Sequence, residues 1–195
     1  SLVEDTARHL RSFGLGQGSV VAAYSPNRPE LMLCYYAAAR IGAVFVPVNP
    51  NLTPAEVAYT FRHGGAALRF CDHSVAGVAA EAVPGGRVVP LDVLRGPAPD
   101  IDPLPPVDVR PEDPFLIIYT SGTTGTPKAI VLDHAAQTAA PRALAEMWGL
   151  DANDITLVAL PLGYLYGLST AAAVGLQSGG TVVILPRFHP RDVLE

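Results

Sequence analysis

The sequence has few of the residues that mark a secreted or membrane protein. Its 195 residues include only two cysteines, Cys34 and Cys71, and each lies within an apolar stretch. They form neither a disulfide framework nor a metal-binding spacing, so we expect two buried free thiols and a cytoplasmic location. No apolar run approaches the roughly 18 residues of a membrane span, and the N-terminus lacks a signal-peptide pattern.

Positive charge is also scarce. There are 13 lysine and arginine residues against 18 aspartate and glutamate residues, which gives a formal net charge of −5. No basic patch is visible, so we expect neither nucleic acid nor a membrane among the partners. Only one of the basic residues is a lysine, Lys128. With 49% hydrophobic residues, the chain has enough apolar material for a globular core.

Apolar runs alternate with helical patterns along the chain. Strands are predicted at 20–24, 44–48, 68–71, 88–91, 115–118, 130–132, 155–160 and 182–185, with helices at 2–13, 29–41, 54–63, 75–82, 134–148 and 168–176. Such alternation predicts an α/β fold in which helices flank a mostly parallel sheet. Seven prolines between Gly96 and Pro114 predict an extended connection. The chain is thereby divided into a first α/β segment (1–95), a connection (96–114) and a second α/β segment (115–195).

The second segment begins with a strand that runs into a loop suited to phosphate. Phe115–Ile118 is a continuous apolar run, which is typical of a strand buried on both faces. The residues after Tyr119 are Thr120, Ser121, Gly122, Thr123, Thr124, Gly125, Thr126, Pro127 and Lys128. Glycines allow backbone N–H groups to converge on an anion, hydroxyls add neutral donors, and the ammonium adds a charge-assisted contact.

Composition alone leaves a second interpretation of this loop, a Ser/Thr/Gly-rich surface hairpin that only reverses the chain. The presence of the only lysine at its end favours phosphate binding. The spacing differs from the G-x-x-x-x-G-K-[ST] pattern of kinases and GTPases, because only two residues separate Gly122 from Gly125 and Pro127 precedes Lys128. The loop is therefore not expected to be a P-loop of that class.

The segment YTSGTTGTPK, residues 119–128, resembles without a mismatch the phosphate-loop signature of the adenylate-forming (AMP-binding) superfamily. That superfamily includes acyl-CoA ligases, luciferase-like enzymes and the adenylation domains of peptide synthetases. The segment RIGAVFVPVNPNLTPAEVAY, residues 40–59, resembles an early core motif of the same family in its acyl-CoA ligase form. One departure is Ala129, which stands where the family usually has glycine. Its methyl group matters only if the backbone there requires a positive φ.

The resemblance implies a two-step reaction. A carboxylic acid and ATP give an acyl-adenylate and pyrophosphate, and a thiol such as coenzyme A or a pantetheinyl carrier then takes the acyl group. It also implies that the loop binds the phosphates of ATP and that the Thr123 hydroxyl lies near Mg²⁺. The phosphate-binding residues would be Thr120, Ser121, Gly122, Thr123, Thr124, Gly125, Thr126 and Lys128.

A third segment, ALPLGYLYG at residues 159–167, resembles the family motif PLFHxxG, whose aromatic or histidine side chain borders the acyl pocket. Pro161, Leu162 and Gly167 match the motif, whereas Gly163 and Tyr164 depart from it. The resemblance places Tyr164 and Gly167 at the substrate pocket. The alternative is that Tyr164 and Tyr166 are both half-buried core side chains.

Adenylate-forming enzymes are considerably longer than this chain. The resemblance therefore implies that residues 1–195 are a partial N-terminal adenylation domain, and that the catalytic lysine belongs to a C-terminal domain which is absent from this sequence. We expect no catalytic residue here, an inactive isolated chain, and the remainder of the enzyme as a partner. The other interpretation is a non-catalytic nucleotide-binding or interaction module that retains the fold.

Overall fold

Helices and strands alternate through residues 1–120 and 127–194, the parts of the chain that the computed structural model describes. The strands are β1 (Val20–Tyr24), β2 (Val44–Val48), β3 (Leu68–Cys71), β4 (Val88–Pro90), β5 (Pro114–Thr120), β6 (Lys128–Asp133), β7 (Ile155–Val158) and β8 (Thr181–Ile184). The α-helices are α1 (Leu2–Ser12), α2 (Pro29–Arg40), α3 (Pro54–His63), α4 (Ala76–Ala82), α5 (His134–Trp148), α6 (Val174–Gln177) and α7 (Pro190–Leu194). Short 3₁₀ helices lie at His73–Val75 and Leu91–Arg95, and a π-helical segment lies at Tyr166–Ala173.

Within these described residues, the larger sheet has six strands in the order β4-β3-β1-β2-β5-β6, and β7 and β8 form a separate parallel pair. Every neighbouring pair in the larger sheet is parallel except β5 and β6, which are antiparallel. The exception follows from the short connection between those two strands, because parallel neighbours need a longer crossover. The predicted fold class, a mostly parallel sheet flanked by helices, is confirmed.

The larger sheet is covered on both faces. Phe45 of β2 belongs to a buried cluster with α1 and α2, whereas its neighbour Val46 belongs to a second cluster with α3 and α4. This arrangement explains why β2 is apolar at every position. Cys34 and Cys71 are buried and free, as predicted. Burial, with a smaller contribution from Asp72, raises the pKa of the Cys71 thiol to about 11, so the thiol stays protonated at neutral pH.

Sequence signals at helix ends are realised in the structure. Thr53 accepts a hydrogen bond from the backbone N–H of Glu56, while the Glu56 carboxylate accepts one from the backbone N–H of Thr53, so α3 begins with a capping box. Asp133 caps α5 by accepting a hydrogen bond from Ala136 N at 2.7 Å. Helix α5 continues through Pro141 as one element and does not restart there.

Residues 96–113 contain neither helix nor strand and cross the surface, as the prolines predicted. The segment is attached through its carbonyl groups. Gln17 Nε2 donates to Asp108 O at 2.9 Å, and Arg40 donates to Leu104 O at 2.9 Å and to Pro105 O at 3.1 Å. Proline has no N–H, but its carbonyl oxygen remains an acceptor, so side chains from α2 and from the turn before β1 supply the donors.

Candidate functional site

A cleft opens where β2 and β5 separate. These strands pair at Phe45 with Leu116, and two residues further along β2 is Pro47, which has no N–H to extend the ladder towards β5. On its other side, β2 stays paired with β1 through Pro47 and Val48. The separation leaves a cleft of about 260 Å³ at the carboxyl end of β2, the edge at which open α/β sheets bind ligands.

Both described ends of the predicted phosphate loop border this cleft. Thr120 and Pro127 line it, and Thr120 is paired with Lys128 across the β5–β6 hairpin. Lys128 is exposed, and the ion pairs found among the described residues do not include it. The strands at the two ends of the motif are therefore antiparallel neighbours, an arrangement that fits both interpretations of the loop.

The central residues of the motif lie outside the described residues. They are Ser121, Gly122, Thr123, Thr124, Gly125 and Thr126. Their phosphate contacts, and the contact of Thr123 with Mg²⁺, stay predictions. Ala129 lies in β6 opposite Tyr119, and in the described parts of the chain only glycines have a positive φ. The methyl group of Ala129 is therefore accommodated without backbone strain.

The opposite wall of the cleft comes from the segment that follows β7. Gly163 and Tyr164 line the cleft, and the Tyr164 side chain is 45% exposed. Gly163 is buried against Asn49, so that an added Cβ would lie 2.6 Å from Asn49 Cα. A glycine is required for this close approach. Tyr164 is thus a wall residue rather than a core side chain, while its role in substrate selection stays a prediction.

Gly167 lies apart from the cleft. It is buried at the start of the π-helical segment, where an added Cβ would collide with the carbonyl oxygen of Pro161. The glycine lets the helical turn pack directly on the backbone that leads to Tyr164. Its direct participation in a substrate pocket stays a prediction, since the described geometry gives it a packing contact instead.

Asn27 holds the wall segment in place, and sequence reasoning missed it. Its Nδ2 donates to Leu160 O at 2.9 Å and to Leu185 O at 3.1 Å, while its Oδ1 accepts from Leu162 N at 2.7 Å. The residue is 6% exposed. One asparagine after β1 therefore links the larger sheet to the ends of β7 and β8. The available signal was a polar residue three positions after the end of a buried strand.

Two buried polar atoms occur in the wall of the cleft. Asn49 Nδ2 and Thr60 Oγ1 are buried without a hydrogen-bond partner among the described residues, although Asn49 Oδ1 accepts from Asn51 N at 2.8 Å. Buried polar groups in a packed core are nearly always paired. Their presence here is more typical of a ligand-binding surface than of a packed interior.

Tyr119 forms the floor of the cleft beside the loop. Its hydroxyl and His63 Nδ1 are 2.9 Å apart. Burial, with a smaller contribution from Tyr59, raises the pKa of the Tyr119 phenol to about 12, so the hydroxyl is protonated at neutral pH. Tyr119 therefore serves as a hydrogen-bonding group and not as a base.

The described residues provide no metal centre of their own. Within 1–120 and 127–194 there is no group of three or more histidine, cysteine, aspartate or glutamate side chains that could hold a metal ion. Magnesium in nucleotide enzymes is commonly held by substrate phosphates and one or two protein oxygens, so ATP binding does not require a resident metal centre in the protein. In the same ranges, no helix has the length and apolarity required to cross a membrane.

Comparison with known proteins agrees with the fold and with the motif. A family model described as AMP-binding enzyme matches residues 1–195. The chain is 33% identical to 4-coumarate–CoA ligase 3 of Oryza sativa subsp. japonica, covering 93% of this chain and 35% of that protein. It is 34% identical to indoleacetate–CoA ligase of Aromatoleum aromaticum, covering 96% of this chain and 39% of that protein. The chain thus spans less than half the length of these relatives.

A solved structure shares the same architecture. ATP-bound MatB from Rhodopseudomonas palustris superposes with a TM-score of 0.83 at 30% identity, and the match covers 99% of this chain and 41% of that one. This chain thus corresponds to less than half of that larger structure.

Proposed function

Because this chain belongs to the AMP-binding enzyme family, we propose that it is the nucleotide-binding part of an acid–thiol ligase. A carboxylate oxygen attacks the α-phosphorus of ATP, the bond to the β-phosphate breaks, and acyl-adenylate and pyrophosphate form. A thiol sulfur of coenzyme A, or of a pantetheinyl carrier, then attacks the acyl carbon and displaces AMP, while the thiol proton is lost to solvent. The observation that carries the proposal is the meeting of both loop ends and Tyr164 at one cleft.

The loop acts by positioning charge. Backbone N–H groups around Gly122 and Gly125, together with the threonine and serine hydroxyls, bind the β- and γ-phosphates, and the ammonium of Lys128 stabilises the leaving pyrophosphate. Mg²⁺ bound together with ATP would neutralise part of the phosphate charge, and Thr123 is the proposed nearby hydroxyl. The catalytic lysine lies outside this sequence, so the remainder of the enzyme is needed for turnover. A cytoplasmic location is part of the proposal, and the two free thiols support it.

Replacing Lys128 by alanine in the full-length protein tests the function directly. A charge-assisted hydrogen bond contributes about 1.5 to 3 kcal/mol, so adenylation is expected to slow by roughly tenfold to a hundredfold. The measurement is acid-dependent exchange of labelled pyrophosphate into ATP. The control is Arg142→Ala, which removes another exposed cation from α5, where it pairs with Glu146 at 3.0 Å.

Equal exchange rates for both variants would show that Lys128 is only a solvated side chain. The isolated chain of 195 residues is expected to give no exchange above a protein-free control. If the full-length protein binds ATP but shows no exchange with any acid offered, the non-catalytic nucleotide-binding module becomes the better description.

An aromatic acid is the proposed substrate class. The relatives are named for 4-coumarate and indoleacetate, both aromatic acids, and this supports a preference that Tyr164 would enforce. A phenol ring at the wall shortens the space for a long chain and offers a flat face to an aryl group. Small or aryl acids are therefore expected to react better than long fatty acids.

The Tyr164→Ala variant tests this preference. Removing the ring enlarges the cleft for competitors more than for the native acid, so the ratio of kcat/KM for an aryl acid over a long-chain acid should fall by about 10-fold, within the range that one hydrophobic contact provides. Tyr166→Ala is the control, because Tyr166 is 58% exposed and lies outside this cleft. A ratio that is the same in both variants would exclude Tyr164 from substrate selection.

A further inference from the structure

Three aromatic side chains form a cluster beside the strand end from which the phosphate-loop motif begins. The Tyr59 ring is stacked on the imidazole of His63, with ring centroids 5.0 Å apart and planes inclined by 20°. Tyr119 meets both rings edge-on, at 6.1 Å from Tyr59 and 5.8 Å from His63. With the hydrogen bond between His63 Nδ1 and the Tyr119 hydroxyl, the end of β5 is attached to the last turn of α3.

These contacts lie at a part of β5 that is not paired with β2. The β2–β5 pairing is recorded at Phe45 and Leu116, three residues before Tyr119, and Pro47 has no N–H to continue it. Near Tyr119 the remaining backbone partner is Ala129 of the hairpin strand β6. The side-chain contacts from α3 to Tyr119 therefore take the place of strand pairing on the β2 side of β5.

The hydrogen bond between His63 and Tyr119 is also enclosed. Tyr119 is 8% exposed, and an added Cβ at Gly64 would lie 3.3 Å from its hydroxyl oxygen. The backbone after α3 thus closes over the hydroxyl group. His63 itself is exposed and does not line the cleft, whereas Tyr119 and Thr120 do. His63 therefore contacts a cleft residue directly through its hydrogen bond to Tyr119.

We propose that His63 is a positioning residue for ATP binding, because its hydrogen bond to Tyr119 holds the end of β5 and with it Thr120, the first residue of the phosphate-binding set. The inference rests on the proposed function, since it requires the loop motif to bind ATP. It adds a residue on α3 that the motif does not contain.

The test is a double-mutant cycle in the full-length protein. His63→Leu and Tyr119→Phe each remove the hydrogen bond, and each should raise the KM for ATP by about threefold to tenfold, the range expected for one hydrogen bond. The kcat value should change by less than about twofold, because the His63–Tyr119 hydrogen bond supports ATP binding equally in the ground state and in the transition state. The double variant should be no worse than either single variant, since both remove the same contact. The Kd of a fluorescent ATP analogue should rise in parallel with KM.

Conservative variants separate positioning from general stability. In His63→Asn the side-chain amide lies close to the position of Nδ1, so the KM for ATP should return to within about twofold of the original value if a single hydrogen bond is responsible. Tyr59→Phe is the matched control, because it removes a hydroxyl group from the same cluster that has no hydrogen bond among the described residues. It should leave the KM unchanged.

Additive effects in the double variant, a fall in kcat alone, or an unchanged KM in His63→Leu would each overturn the inference. If Lys128→Ala slows exchange while His63→Leu has no effect, the positioning role fails and the proposed function stands. If the full-length protein neither binds ATP nor exchanges pyrophosphate with any acid, both fail.

Discussion

The Asn27→Asp variant is expected to lose about 3 to 5 kcal/mol of unfolding free energy at pH 7, because one side chain supports three backbone groups at once. The replacement keeps the shape of the side chain. It still allows an oxygen to accept from Leu162 N, but it turns the donor Nδ2 into an oxygen that faces the carbonyl oxygens of Leu160 and Leu185. Two carbonyl groups lose their partner, and a negative charge is buried beside them.

Urea unfolding at several pH values measures this effect. Because the introduced carboxylate is buried and faces two carbonyl oxygens, its pKa in the folded state should lie above the unfolded value of about 3.9. The deficit is then largest at high pH and narrows as the pH falls and the group becomes protonated. Asn153→Asp is the control at an exposed position. Equal stability of the two variants would mean that Asn27 does not hold the wall segment.

The second large loss of unfolding free energy is expected from Arg28→Met. Arg28 forms ion pairs with Asp72, Asp92 and Glu30, the last at an Nε–Oε2 distance of 3.1 Å. Glu30 and Asp72 are 2% and 4% exposed, so the variant leaves two buried carboxylates with less compensation. Glu30 retains Arg95 as a partner. Removing one member of a buried ionic group typically costs 3 to 5 kcal/mol, and we expect about 3 kcal/mol here because of the remaining partners.

The pH dependence of stability gives this prediction a second observable. Burial alone would raise the pKa of Asp72, but hydrogen bonds from Ser74 and Arg28 outweigh it and hold the pKa at about 2. A folded pKa below the unfolded value stabilises the protein above pH of about 4, and this contribution is lost as the pH falls towards 2. In Arg28→Met the pKa of Asp72 in the folded state rises. The difference in unfolding free energy between the variant and the original protein should therefore narrow as the pH falls from about 4 towards 2.

A cation on the surface provides the comparison. Arg110 pairs with Asp113 at 3.0 Å, and its side chain is 69% exposed. Exposed pairs contribute little, so Arg110→Met should leave the unfolding free energy nearly unchanged. If Arg28→Met behaves in the same way, the buried network does not stabilise the junction of α2 and β3.

Local patterns were sufficient for most element boundaries. β1, β2 and β3 agree with prediction residue for residue, because each is an apolar run between turn residues. α3 agrees because its capping box and Pro54 mark the start without ambiguity. α7 and the π-helical form of Tyr166–Ala173 were not predicted, since the first is very short and the second depends on the packing of Gly167.

The candidate site was only partly accessible from sequence. The motif identified the loop, and its ends do border a cleft with Tyr164. Asn27 was missed because its partners Leu160 and Leu185 lie 133 and 158 residues away, beyond any local periodicity. The hydrogen bond between His63 and Tyr119 joins residues that are 56 positions apart, and it was missed for the same reason. Such contacts arise from strand order, which the sequence pattern constrains only loosely.

Pro47 affects the incomplete chain during synthesis as well as the cleft of the folded protein. In the order of synthesis, β1 to β4 are complete before residues 114–120 emerge, and β2 is then an edge strand made only of apolar residues and proline. Exposed apolar edges invite pairing with other chains, and a proline on the edge interrupts the row of donors that such pairing needs. The residue that opens the cleft in the finished protein is thus also a safeguard against aggregation while the chain is incomplete.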